Sequence, residues 1–131
     1  MRGQVAVEAL AILALLLFVG LSFYFFEYLR SIQVLEERLS LDERRVARQV
    51  ADEINTAAIV GDGYEHSFEL PTALSGGVDY SISVDTTFQE VAVNWSEGTM
   101  NTASIVTANV TGSPLKGPNI VRNTGGVISF V

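Results

Sequence analysis

The chain has 131 residues, which is enough for one small domain with an appendage but too few for a large two-domain enzyme. Its 15 acidic and 8 basic residues give a net charge of −7, which argues against a nucleic-acid partner because phosphate binding depends on clustered Lys and Arg. Cysteine is absent, which excludes disulfide bonds, thiolate nucleophiles and zinc sites built on cysteine.

Apolar residues are concentrated near the N-terminus. Residues 9–26 contain no charged side chain, and an apolar run of these 18 residues has the length of a membrane-spanning helix. A cleavable secretory signal would need small residues after the run, whereas this run ends in bulky aromatic residues. We therefore expect the run to stay in the protein, with Arg2 favouring a cytoplasmic N-terminus while the chain is in the membrane.

After the apolar run the pattern becomes amphipathic. Apolar residues recur at steps of three, four and seven, with charged residues between them: Ile32, Leu35, Leu39, Val46, Val50 and Ile54. The first proline is Pro71, and Gly61-Asp62-Gly63 is a typical helix stop. The pattern predicts one helix over residues 4–60, roughly 85 Å long, which exceeds what a small globular domain needs.

Beyond the stop the apolar period changes from 3.6 to 2, which is typical of half-buried strands. The expected fold class is α+β: one long N-terminal α-helix, apolar in its first half and amphipathic in its second, followed by a small antiparallel β-sheet or β-sandwich head of residues 61–131. The head contains seven acidic and two basic residues, so it is the acidic, solvated part of the chain. Strands are predicted at residues 64–70, 78–84, 88–95 and 103–110, with a final hairpin between 119–122 and 127–131.

Glu8 immediately precedes the uncharged run, which begins at the next position. A carboxylate at membrane depth costs free energy and usually has a partner, although at the level of the lipid headgroups it needs none. Both interpretations of Glu8, a paired carboxylate and a headgroup-level residue, are compatible with its position alone.

The residues around Glu8 resemble a processing motif. The sequence RGQVAVE at residues 2–8, followed by a long apolar helix, resembles the class III signal peptide of archaeal type IV pilins. The short strand-like sequences at residues 70–82 and 121–128 also look like those of pilin heads. The resemblance implies that a prepilin-type peptidase cuts between Gly3 and Gln4, which removes residues 1–3 and leaves the apolar helix in the mature subunit.

The same resemblance implies a structural function, that of a subunit of an extracellular archaeal type IV pilus with a role in adhesion. The subunit would be a homo-oligomer that polymerises through the helix of residues 4–60, with help from the pilus assembly machinery, after a stage in the cytoplasmic membrane. Cleavage would give Gln4 a free amine, which would neutralise the Glu8 carboxylate in the same or a neighbouring subunit. The alternatives are a membrane-anchored single-pass binding or adhesion module that does not polymerise, and an archaellum-like filament subunit.

Two further features concern the head. Asn94 and Asn109 begin N-x-Ser/Thr triplets and are candidate N-glycosylation sites on an exported domain. The single histidine, His66, and the adjacent Ser67 are predicted on opposite faces of a strand, so they cannot form a nucleophile–base pair. We expect no enzymatic activity, and no catalytic, metal or cofactor site.

Overall fold

A computed structural model describes residues 2–95 and 100–131. It contains one α-helix, α1 (Arg2–Val60, 59 residues), which begins two residues earlier than predicted and ends at the predicted stop. Gly61 has φ +91° and donates its N–H to the Ala57 carbonyl at 3.1 Å, a conformation that favours glycine and ends the helix. The chain divides into two compact units, residues 1–36 and residues 37–131. From here on, the head means the second unit, which adds the second part of α1 to the predicted β head of residues 61–131.

Among the described residues, seven strands follow α1, and they form two sheets. The four-stranded sheet has the order β1-β6-β7-β5, and the three-stranded sheet has the order β2-β3-β4. The confirmed fold class is α+β, with one long helix followed by small, largely antiparallel sheets. The strands are β1 (Glu65–Leu70), β2 (Ser81–Asp85), β3 (Glu90–Asn94), β4 (Asn101–Ser104), β5 (Val110–Thr111), β6 (Gly117–Thr124) and β7 (Val127–Phe130), with a 3-10 turn at Ser75–Gly77.

The final hairpin forms as the sequence predicts, with a tighter turn. Thr124 pairs with Val127, so the loop contains only two residues, Gly125 and Gly126. Both have positive φ, +62° and +85°, which a two-residue turn between twisted antiparallel strands requires. Asn123, expected in the loop, instead belongs to β6, where its side-chain amide donates to the Ala57 carbonyl of α1 at 2.8 Å.

The predicted strand at 88–95 begins later, at Glu90. The Asp85 carboxylate accepts the N–H groups of Thr87 and Phe88 at 2.8 and 3.0 Å, which holds the chain in a turn. Gln89 completes the turn with φ +54°, a left-handed conformation incompatible with a strand. A local side-chain acceptor has therefore replaced the strand hydrogen bonds that periodicity predicts.

The predicted single strand at 103–110 is wrong. The structure divides this segment between β4, a loop and β5, and β5 pairs with β7 in parallel. Asn55 of α1 explains the break, because its side-chain amide donates to the Ser104 carbonyl at 3.4 Å and accepts from the Val106 N–H at 2.8 Å. These backbone groups are satisfied by the helix and no longer by a neighbouring strand.

One apolar core holds the head together. It contains the inward face of α1 and side chains from both sheets, among them Val50, Ile54, Val93, Val121 and Ile128, each with at most 1% of its surface exposed. Burial of these side chains supplies the main free energy of folding, since each contributes about 1.5–3 kcal/mol relative to an exposed position.

A carboxylate is buried in this core. Glu43 is fully buried on the inward face of α1, where its Oε2 accepts from the Asn101 side-chain amide at 2.6 Å. Its Oε1 has no hydrogen-bond partner within residues 2–95 and 100–131. Burial raises the pKa of the Glu43 carboxyl above 4.5. Hydrogen bonds from the Asn101 side chain and the Trp95 backbone lower this pKa, but by less than burial raises it.

The raised pKa predicts that the contribution of Glu43 to the stability of the head falls with increasing pH. Between pH 4.5 and the pKa of the folded protein, the native state holds a proton on Glu43 that the unfolded chain has lost, so the free energy of unfolding decreases as pH rises through this window. Glu43→Gln keeps the shape of the side chain and removes its ionisable group. It should raise the denaturation midpoint at pH 7 and change it little at pH 4, measured by urea unfolding of the detergent-solubilised chain.

Glu37→Gln is the matched control, because Glu37 is exposed on the same helix. It should leave the denaturation midpoint unchanged at both pH values. Equal pH dependence of the wild type and the Glu43→Gln variant would contradict the prediction.

Candidate assembly face

Residues 3–36 of α1 form a helix that is exposed on all sides. Each of these side chains is exposed except that of Ser22, which is half-buried and donates to the Phe18 carbonyl at 2.8 Å. In the part of the chain that the structure describes, α1 is the one helix long and apolar enough to cross a membrane. So large an apolar surface is stable only when lipid or other apolar chains cover it. Its large apolar members include Leu10, Leu13, Leu16, Phe18, Leu21, Phe23, Phe25 and Phe26.

The helix places Gln4 and Glu8 on one face, one turn apart. The Gln4 side-chain amide lies 3.5 Å from Glu8 Oε1, at the long limit of a hydrogen bond, and both side chains are exposed. The rise between them is about 6 Å along the axis. The two residues singled out by the sequence for assembly are therefore neighbours.

Gly3 and the bond that follows it lie in the first turn of α1. A Cβ added at Gly3 would meet no atom within 4 Å, so no packing constraint explains a glycine at this position. The amides of the first turn lack partners within the helix, and terminal turns open at little cost. A peptidase that needs extended backbone therefore has access to the Gly3–Gln4 bond after the unwinding of one turn.

The two candidate glycosylation sites are at the surface of the head. Asn94 ends β3 and Asn109 precedes β5, and both residues are exposed. Their neighbours Val93 and Val110 are buried. Ser96, the third residue of the first triplet, lies outside the described residues.

His66 is part of a small cluster with α1. Its Nδ1 lies 2.9 Å from Glu53 Oε2, and half of the His66 side chain is exposed. Ser67 alternates with His66 along β1, so its hydroxyl is on the other face of the strand. Glu53 could not be assigned to this cluster from the sequence, because helix and strand meet only in the folded head.

The chain matches no known protein family, no curated protein and no solved structure with which it was compared.

The sequence did not single out two features of the site region. Glu43 occupies a core position between Leu39 and Val46, so its place in the helical period was an available signal for its burial. The arginines on the outward face of the same helix are visible in the sequence as charge. That Arg45 and Arg48 form no ion pair with a carboxylate in the described parts of the chain is evident only from the structure.

Proposed function

We propose that the chain is the structural subunit of an extracellular filament of the archaeal type IV pilus kind. The observation that carries the proposal is the exposure of the apolar helix over residues 3–36, whereas the head buries the second part of the same helix in its own core. A surface of this kind is covered by lipid before assembly and by copies of itself in a filament. The RGQVAVE motif favours the filament, because a plain anchor needs neither Gly3 nor Glu8.

Processing at Gly3 makes the Gln4–Glu8 geometry chemically useful. The new amine at Gln4 would lie at the positive end of the helix dipole. The Glu8 carboxylate one turn away would balance the charge of the ammonium group and the partial positive charge of the helix end. In the interior of a filament either charge alone would be costly, whereas the pair sets the axial register of neighbouring helices. The acidic head would face water, where it carries the adhesive function.

The first prediction is that the mature subunit begins at Gln4 and has 131 − 3 = 128 residues. Electron microscopy of material sheared from cells should show filaments, and N-terminal sequencing of them should start at Gln4. Gly3→Val should leave unprocessed precursor in the membrane without altering the head. Processed or unprocessed subunit found only in membranes, with no filament, would favour the single-pass anchor.

The second prediction concerns the glycans. Asn109 should carry a glycan, and Thr111→Ala and Asn109→Gln should remove the same mass from the exported subunit, because the hydroxyl residue is part of the recognition triplet. Thr111→Ser is the matched control and should keep that mass. Asn94→Gln should remove a second, independent mass. Intact-mass spectrometry of sheared material checks both sites, and unmodified wild-type subunit would contradict the prediction.

A further inference from the structure

The outward face of α1 within the head carries a basic patch with an apolar centre. Leu41 is 58% exposed, and helical spacing places Arg44, Arg45 and Arg48 around it, on the side opposite the buried Val46 and Val50. Asp52 and Glu53 line the same surface depression one turn further along α1, so the basic part of this face is confined to residues 41–48. Arg44 donates to the Asn101 side chain at 3.0 Å. Arg45 and Arg48 form no ion pair within 4 Å among the described residues. We call Leu41, Arg44, Arg45 and Arg48 the helix patch.

The outer face of the four-stranded sheet carries the opposite combination. Ser67, Pro118, Ile120 and Val131 line a shallow depression of about 520 Å³, and Val131 is 72% exposed. The acidic residues of β1 that share this outer face lie at its edge. We call these four residues, with Glu65 and Glu69, the sheet patch.

The charges of the two patches are complementary. Both basic residues beyond residue 61 already have acidic partners in the same head, since Lys116 pairs with Asp79 and Arg122 with Glu65 at 2.8 Å. Glu69 forms no ion pair within 4 Å in the described parts of the chain. Within residues 2–95 and 100–131, each head therefore exposes two arginines on its helix, Arg45 and Arg48, and one carboxylate on its sheet, Glu69, that form no ion pair, each beside exposed apolar side chains.

We propose that the helix patch of one copy docks on the sheet patch of the next copy. Leu41 then covers Ile120 and Val131, and Arg48 meets Glu69 across the contact. The two patches differ, so the contact is heterologous, and a heterologous contact that does not close into a ring propagates an open helical filament. The inference rests on the proposed filament function and adds a head-to-head contact to the assembly of the apolar helices.

The absence of cysteine allows a clean cross-linking test. Leu41→Cys and Ser67→Cys chains, each full length, are co-expressed, and intact cells are treated with a short bis-maleimide. A covalent dimer should form in the mixture and not with either chain alone. Ser83→Cys is the matched control, because Ser83 is an exposed strand residue of the other sheet, and its mixture with Leu41→Cys should give no dimer.

A charge variant separates specific docking from chance collision. Arg48→Glu on the Leu41→Cys chain should lower the dimer yield at least five-fold, whereas Arg48→Lys should keep it within two-fold. A dimer from Leu41→Cys chains alone would overturn the proposal, because it would mean that two helix patches face each other. An Arg48→Glu yield equal to the wild type would also overturn it.

The outcomes distinguish this contact from the filament function. Filaments without the 41–67 cross-link would overturn the contact and leave the filament function standing. The cross-link in membranes of cells that make no filaments would support the contact and overturn the filament function. The absence of both would overturn both.

Discussion

Replacing Glu8 with alanine should abolish filaments while leaving normal amounts of processed subunit in the membrane. In the membrane the change removes a carboxylate near lipid, where an acidic group is costly, so the precursor should insert at least as well as the wild type. In the filament the change removes the partner of the Gln4 ammonium. A buried charge whose ion-pair partner has been removed destabilises the assembly by about 3–5 kcal/mol when burial is complete, and by less where water enters.

The head should not respond to this substitution. Glu8 and the head core belong to different compact units, and within residues 2–95 and 100–131 the Glu8 side chain forms a hydrogen bond only with Gln4. Immunoblots of membrane fractions and electron microscopy of sheared material measure the two effects separately. Thermal unfolding of the detergent-solubilised variant should match the wild type.

Glu27→Ala is the matched control for Glu8→Ala. Glu27 is an exposed glutamate on the same helix but follows the apolar run, outside the face formed by Gln4 and Glu8. It should leave filament numbers unchanged. Wild-type filament numbers in Glu8→Ala cells would reduce Glu8 to a headgroup-level residue and make the single-pass anchor the better proposal.

Truncation of Ile54 should have the largest effect on the head itself. Ile54 is fully buried in the core between α1 and the sheets, so Ile54→Ala removes apolar contacts and leaves a cavity. Substitutions of this kind cost about 2–5 kcal/mol, a large share of the stability of a domain of this size. Urea unfolding of the detergent-solubilised chain should show a clearly lower midpoint with an unchanged slope.

Ile59→Ala provides the comparison at an exposed site. Ile59 lies on the same helix, five residues later, and is 79% exposed. Its truncation should change the free energy of unfolding by no more than about 0.5 kcal/mol. Equal losses from the two substitutions would mean that the described core does not determine the stability of the head.

Features that depend on neighbouring residues in the chain were predictable. The helix over residues 4–60, its end at Gly61 and the final hairpin follow from apolar period and from glycine conformation, and the structure contains all three. The proximity of Gln4 and Glu8 follows from helical geometry alone, because residues four apart share a face. These properties depend on residues close together in the chain, so they do not depend on how the rest of the chain folds.

Features that depend on distant residues required the tertiary structure. The break of the predicted strand at 103–110 depends on Asn55, some fifty residues earlier, whose side chain satisfies the backbone that a strand would have paired. The parallel pairing of β5 with β7 has the same non-local origin. Periodicity reports which face of a strand is apolar but not which strand lies beside it.

The electrostatic features also separate into those set by the sequence and those set by the tertiary structure. The sequence by itself determined how many arginines and carboxylates the chain has and that the helix carries most of the positive charge. Only the fold decided that Arg122 is neutralised by Glu65, and that Arg48 and Glu69 form no ion pair in the described head. An ion pair forms only when its two charged groups lie within a few ångströms of each other. For residues far apart in the sequence, that distance is set by the packing of the core and not by their spacing along the chain.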